Sequence, residues 1–540
     1  MKNLKCLLMA ALAVVLFASC GKSYTRVVPA DSKMVATVDF KSIVEKSELT
    51  SYPSIMKAIE QFINDNSRNK KEAEQAKKIL EDPSASGIDF TEPMYVFMTG
   101  DRNFIGLALS VKDDGDLENF LKNQAGMKLK KEDGLMRCSE ESAEIAFDGN
   151  SLVVLYDLGF GLSNVKADKR IVQLFDNDED FTSTDAYSKM EDAEGDAKVW
   201  VNFGIVPSIL TEKMGFDISQ ILGGMKLSDM NLMYNLIFDK GCVRIGCEFF
   251  GSTKEAQKKL EDNVSYLQKV KGDYLSLADN NCIAWGSSAL MGDKLLEKLK
   301  NFEIVKVMLL MMEQEMDFDF SSMIRSLQGD VSFAFNCDSL KQLSEDNFLN
   351  HLVVAGKVND SKYMKDFPNL FKDENGSTSC EAYKGDIYKL TSTEETLYWG
   401  DYFGGGEDED VVETLVTKES YFYFGVDANK NLVFTTGTQT PDKLFKGRCV
   451  RLEAYKDEIQ SSNAFFFLDL NAILSQMVRG TSEYRNMPPE AQSAIDLLDV
   501  VIARNEEPLK GEGRLVIKDN SKNILSVYLS LVDAFIKKNM

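Results

Sequence analysis

Two stretches of this chain, one from residue 34 and one from residue 281, run through the same landmarks in the same order. Met34-Val35-Ala36-Thr37-Val38-Asp39 stands opposite Asn281-Cys282-Ile283-Ala284-Trp285-Gly286, each reading as a strand. Helical periodicity follows in both, through Ile55, Ile59, Phe62 and Ile63 and through Ile304, Val305, Met308 and Met312. Ile88-Asp89-Phe90 before a strand from Met94 to Met98 matches Phe318-Asp319-Phe320 before a strand from Val331 to Phe335. Val111, Asp113 and Phe120 match Val358, Asp360 and Phe367. Hairpins are expected at 147–154 and 426–433, with Asp, Asn and Gly supplying the turns. A strand running into a helix is expected over 199–210 and again over 465–477, and closing hairpins over 232–250 and 514–531.

A period this long means paired domains and not a solenoid. The expected fold is therefore α+β, in two tandem, internally similar halves, each with mainly antiparallel sheets packed by amphipathic helices. The halves are expected at 31–275 and 276–540, with the junction near Lys271 to Asn280.

Ahead of the first half, Lys2 and Lys5 precede an apolar run from Cys6 to Ala18, then Ser19, Cys20 and Gly21. The run is shorter than the ~20 residues a membrane-crossing helix needs, and small residues precede Cys20. This order reads as a signal peptide over 1–19, cleaved before a lipidated Cys20, with 20–30 as a tether. Two or more acyl chains make such an anchor stable.

Removing 1–19 takes away Lys2 and Lys5 and no acid, leaving 60 basic against 85 acidic residues, a balance of −25. Such a surface repels phosphate backbones and anionic headgroups, which argues against nucleic acid and against membrane contact beyond the lipid. Seven cysteines remain besides Cys20: Cys138, Cys242, Cys247, Cys282, Cys337, Cys380 and Cys449. An odd number cannot all pair, and no Cys-x-x-Cys occurs, so buried thiols acting as small hydrophobes are expected.

Chemistry is constrained most by histidine, because His351 is the only one in the chain. Multi-histidine metal sites are impossible, and His351 is expected to be structural or at the surface. Asp176, Asp178 and Asp180 suggest a calcium loop, but Phe181 and Tyr187 stand where Gly and Glu are required. That run and Gly404 to Asp410 read as solvated acidic loops. No nucleophile elbow or phosphate-binding glycine loop is present. No catalytic residue, metal ligand or cofactor-binding residue is therefore assigned, and no cofactor is expected. Carboxylate-only hydrolysis stays open, although acids are too abundant to single out a pair.

Met308, Met311, Met312, Met316 and Met323 surround a short apolar run. Core packing is the expected role of this cluster. The alternative is a groove for lipid or another hydrophobic ligand, lined by Met308, Met311, Met312 and Met316.

The order Cys20, then Val28-Pro29-Ala30-Asp31, then Val38-Asp39-Phe40, with Gly87-Ile88-Asp89-Phe90 later, resembles an uncharacterised lipoprotein family of Bacteroidetes, the DUF-4836 type. The resemblance covers most of the mature chain and implies origin and location only. Lipoproteins of that group bound for the cell exterior usually carry acids soon after the lipidated cysteine, whereas residues 21–26 contain none. A periplasm-facing position at the outer membrane is expected, with the cell surface as the alternative. The leading functional expectation is a non-enzymatic, membrane-tethered protein that binds a protein or small-molecule partner.

Overall fold

The computed structural model describes residues 23–67, 69–123, 125–140, 143–160, 165–206, 224–343, 348–371, 378–398, 414–437 and 439–539. Cys20 and the Gly404 to Asp410 segment lie outside them. The chain forms two compact units. One takes the described residues up to 206, Leu227–Ser252 and the C-terminal residues from Asn520; Thr253–Asp519 belongs to the other.

In the first unit the strands are β1 (Met34–Val38), β2 (Met94–Met98), β3 (Phe104–Ser110), β4 (Lys130–Glu132) and β5 (Leu135–Glu140). They continue as β6 (Ala143–Phe147), β7 (Ser151–Asp157), β8 (Ala197–Asn202), β9 (Met230–Asp239) and β10 (Cys242–Gly251). Every pairing is antiparallel, and the sheet order is β4, β5, β6, β7, β3, β2, β1, β8, β9, β10. Burial alternates along β1 and β2, which are apolar nearly throughout, so one face is covered more fully and Val35 and Phe97 are wholly enclosed. Helices α1 (Phe40–Ser47), α2 (Pro53–Asn66), α3 (Lys70–Glu81), α4 (Asp114–Asn123), α5 (Ala167–Phe175) and α6 (Asp185–Asp192) complete the connections. Ile171, Leu174 and Phe175 of α5 pack into the core around Phe97, Phe181 and Trp200.

The second unit begins with helix α7 (Lys254–Asn263) and a short strand β11 (Leu267–Gln268). Then come β12 (Cys282–Met291), α8 (Gly292–Lys300), α9 (Glu303–Met316), α10 (Phe320–Ser326), β13 (Leu327–Asn336) and β14 (Leu352–Val358). The remaining elements used below are β15 (Thr378–Lys384), β16 (Asp386–Tyr398), β17 (Thr414–Val426), β18 (Asn431–Thr436), β19 (Ala464–Asp469), α11 (Leu470–Met477), β20 (Leu498–Glu507) and β21 (Lys510–Ile517). Their antiparallel order is β15, β16, β17, β18, β14, β13, β12, β19, β20, β21, with β11 beside the end of β12. Taken strand by strand, this is the order of the first unit. The core is built on Trp285, Phe465, Phe467 and Ile502.

Several expected landmarks fall where the pattern put them. The hairpin turns use Asp148, which accepts from the amides of Asn150 and Ser151, and Asp427, which accepts from those of Asn429 and Asn431. Two others are displaced. Cross-strand register gives Met34 the position of Ala284, since Met34 faces Val201 and Met98 while Ala284 faces Leu468 and Phe335. The expected alignment to Asn281 is three residues early because β12 is twice as long as β1. The closing hairpin of the second half is β20 and β21, not 514–531, and residues 524–539 form a final helix, α12 (Ile524–Asn539). Its apolar residues are dense enough to satisfy either period.

Nor do the compact units follow a boundary at 275/276, because α12 belongs to the first unit. Tyr52 Oη meets the Ser526 carbonyl and hydroxyl at 2.7 Å, and the Ser526 hydroxyl donates to Glu48 at 2.9 Å. Asp533 accepts from the amides of Ser54 and Ile55 at 2.7 and 3.0 Å. Tyr52, the N-cap of α2, has no side-chain acceptor for those amides, so a carboxylate from the end of the chain caps this helix. Ending the chain after Asp519 should lower the unfolding midpoint of the first unit by several degrees and leave that of the second unchanged. Hydrogen exchange followed by mass spectrometry resolves the two, and equal loss of protection in both units would contradict the assignment.

Candidate functional site

Acidic residues are the most numerous candidates for chemistry, and the structure gives most of the informative ones mechanical work. Asp39, Asp319 and Asp469 cap α1, α10 and α11 by accepting from the amides of Ser42, Ser322 and Ala472. Asp330, fully buried, accepts from the amides of Lys271, Gly272 and Asp273. Asp196 is buried against Lys46 Nζ at 2.7 Å and Ser42 Oγ at 2.5 Å; burial pushes its carboxyl upward, but these partners and the Phe238 amide outweigh it and hold the group low. Asp469 and Asp499 face each other only through Arg451, 2.5 Å from each.

A cavity of about 460 Å³ in the second unit is lined by Ser361, Lys384, Asp386, Asp427, Lys430 and Asp442. Ser361 Oγ donates to Asp386 at 2.8 Å, and Asp442 takes Lys384 and Tyr383 at 3.0 and 2.9 Å. Lys384, and then Tyr383, hold the Asp442 carboxyl below its ordinary range. Asp82, Asp360 and Glu483 are also held low, the first chiefly by the Ser84 hydroxyl and the others chiefly by backbone amides. A general acid requires the opposite displacement. Among the described residues no three His, Cys, Asp or Glu side chains stand together as metal ligands. The former calcium candidate is closed off by Phe181, which is core, while Asp180 caps the turn it begins.

His351 is half-buried at the head of β14, its Nδ1 3.0 Å from the Asn336 carbonyl, which fixes the ring as an Nδ1–H donor. No disulfide links the seven described cysteines. Cys138, Cys282, Cys337 and Cys449 are buried, and burial pushes their thiols upward and keeps them protonated.

The described residues that carried the family resemblance are each held by close packing or backbone contacts. Val28 is fully enclosed, and its carbonyl accepts from Phe181 at 2.8 Å. Phe40 and Phe90 make an edge-to-face ring contact at 6.1 Å. Gly87 sits at φ +80°, where a Cβ would come within 2.3 Å of the Leu117 amide nitrogen, and its carbonyl accepts from both Lys112 and Asp113.

One feature is not explained by folding. Helix α9 buries Leu309, but Ile304, Val307, Met308 and Met311 are 55, 50, 55 and 53% exposed. Positions i, i+3, i+4 and i+7 form one continuous stripe, here on the solvent side. Core packing, expected of this cluster from sequence, is overturned for Met308, Met311 and Met316; Met312 is half-buried. Sequence periodicity could find the stripe but not its direction, since a stripe facing a core and a stripe facing water have the same spacing.

The fold and this face define an α+β protein of antiparallel sheets that presents an apolar helix to solvent. The chain belongs to the family described as "Domain of unknown function (DUF4836)", whose model matches residues 24–525. No curated protein matches it. Among solved structures, crystal forms I and III of TP0453 are 13 and 12% identical, cover 43 and 46% of this chain and 79 and 88% of their own, and give a TM-score of 0.25 each. No described helix is long and apolar enough to cross a membrane.

Two substitutions separate the Gly87 packing from the exposed helix. Gly87→Ala should cost at least ~3 kcal/mol in urea unfolding, through the clash and the left-handed backbone together. Met308→Asp should change stability by less than ~0.5 kcal/mol, as surface replacements do. A large loss for Met308→Asp would mean that the stripe is core after all.

Proposed function

We propose that this chain is a membrane-anchored, extracytoplasmic lipoprotein that works by holding a partner and not by catalysis, with α9 as its contact face. The observation that carries the reading is the outward stripe of Ile304, Val307, Met308 and Met311. A soluble protein seldom leaves contiguous large apolar side chains in water without a partner, and methionine suits an adaptable contact. In the second unit's cavity Lys384 holds the Asp442 carboxyl low, the opposite of what a general acid needs, which favours this reading over a carboxylate hydrolase. A lipid carrier would need an enclosed apolar cleft, whereas Ile304, Val307, Met308 and Met311 are each half or more exposed.

Anchoring rests on Cys20 and the leader before it, with the bulk of the chain facing the periplasm at the outer membrane because residues 21–26 carry no acid. The shared strand order of the two units supports a tandem duplication over 31–275 and 276–540, with the last helix of the second copy lodged in the first unit.

Labelled palmitate should enter the native chain and not Cys20→Ser, which should leave the membrane fraction. Contact is tested separately, with a photo-crosslinking residue at Met311 and, as control, at the exposed Lys362. Adducts at Met311 alone are expected, and equal absence at both positions would end the interaction reading.

A further inference from the structure

The interaction reading leaves the partner open, and comparison of the two units narrows it. Helices α2 and α9 hold matching places, each the second helix after the first long strand of its sheet, and each is 14 residues long. Neither has a side-chain acceptor at its N-cap, which is Tyr52 in one and Phe302 in the other. In the first unit the deficit is met by α12, which lies against α2 and places the Asp533 carboxylate on its first amides. The helix that follows β10, α7, has only 10 residues against the 16 of α12. What α2 receives from α12, a covering helix and a carboxylate at its N-terminus, none of the described residues supplies to α9 on its outer side.

The charges of α9 specify what would supply both. Lys300, the last residue of α8, Glu303 and Lys306 stand at its start, with Glu303 3.5 Å from Lys306, while Glu315 in its last turn and Asp317 just beyond it are acidic, and Lys300, Glu315 and Asp317 are exposed. Glu315 and Asp317 at the C-terminus oppose the helix dipole, and Glu303 alone favours it at the first turn, so Lys300 and Glu315 are left to be matched from outside. This arrangement suits an antiparallel copy of itself. Glu315 falls four residues beyond Met311, at the end of the stripe. With two α9 helices antiparallel about the midpoint between Val307 and Met308, Ile304 lies level with the other copy's Met311 and Val307 with its Met308. Glu315 then reaches the other copy's uncapped N-terminus beside Lys300. A parallel arrangement would set like charges side by side.

We infer that the partner of α9 is a second copy of this chain, docked through an antiparallel, two-fold α9 pair in which the stripe is the seam and Glu315 of each copy caps the N-terminus of the other. This rests on the interaction reading above and names its partner. A 14-residue helix is ~21 Å long, so the contact is at the small end for specific interfaces and the dimer is weak in solution. Lipid tethering would raise the effective concentration of the copies toward one another.

The test uses the exported chain carrying Cys20→Ser, which loses the lipid and keeps every described residue. Sedimentation equilibrium over a series reaching hundreds of micromolar should give a reversible monomer–dimer equilibrium, absent in Val307→Asp/Met308→Asp. Lys300→Glu and Glu315→Lys should each weaken the dimer about tenfold, and the double exchange should recover most of that loss. Circular dichroism and thermal midpoints close to those of the parent would show that these variants fold. A chain that stays monomeric throughout overturns the inference, and so does a dimer indifferent to α9 or a double exchange that is merely additive. Uptake of a monomer by phosphatidylcholine vesicles, lost in Val307→Asp/Met308→Asp, would make the occupant a bilayer and also overturns it. If the chain is monomeric while Met311 still crosslinks to a different protein in cells, only the choice of partner has failed.

Discussion

Everything in each unit hangs on one strand that is hydrogen-bonded on both sides to segments far away in the chain. β1 lies between β2 and β8, and β12 between β13 and β19. The second neighbour arrives more than 150 residues later in each case, so the sheet cannot close until the intervening hairpins and helices are in place. Trp200 and Phe467 come from those late strands, and the cores around them form when the loop closes. Pairing of this kind leaves little freedom at the joints, and Gly87, Asp196 and Asp330 are spent on fixing them.

Much of this was legible from residue order, because local chemistry decides it. An Asp two residues ahead of an Asn accepts backbone amides wherever it occurs, so both hairpins were visible as Asp148 and Asp427. The β19 to α11 boundary was equally clear, since Asp469 ends one element and caps the next. What could not be read is decided at a distance. Residues 524–539 carry apolar positions that suit a strand or a helix, and their docking on α2 makes them helix. The length of β12 is set by its neighbours on both sides, which is why residue order alone places Met34 opposite Asn281, three residues ahead of Ala284.

For the candidate site the division was sharper. A run of methionine and leucine declares that a surface is apolar and stays silent on what faces it. Read as a helical period, residue order supplied Ile304 and Met308 but chose Val305 and Met312, which are half-buried, where the exposed stripe has Val307 and Met311, and only the structure supplied its direction. The acids show the reverse case: several that composition offers as catalytic candidates serve as caps, turn acceptors or ion-pair partners, among them Asp39, Asp148 and Asp196.

The return of α12 to the first unit has a consequence for how the chain is made. Residues up to 252 leave the ribosome with the α2 helix still lacking the carboxylate that caps it, and Asp533 follows only near the end. At ordinary elongation rates of 5–20 residues per second, that interval is roughly 15 to 60 seconds. The N-terminal unit is thus the first to be synthesised and the last to be completed, and for that time α2 has neither its covering helix nor its capping carboxylate.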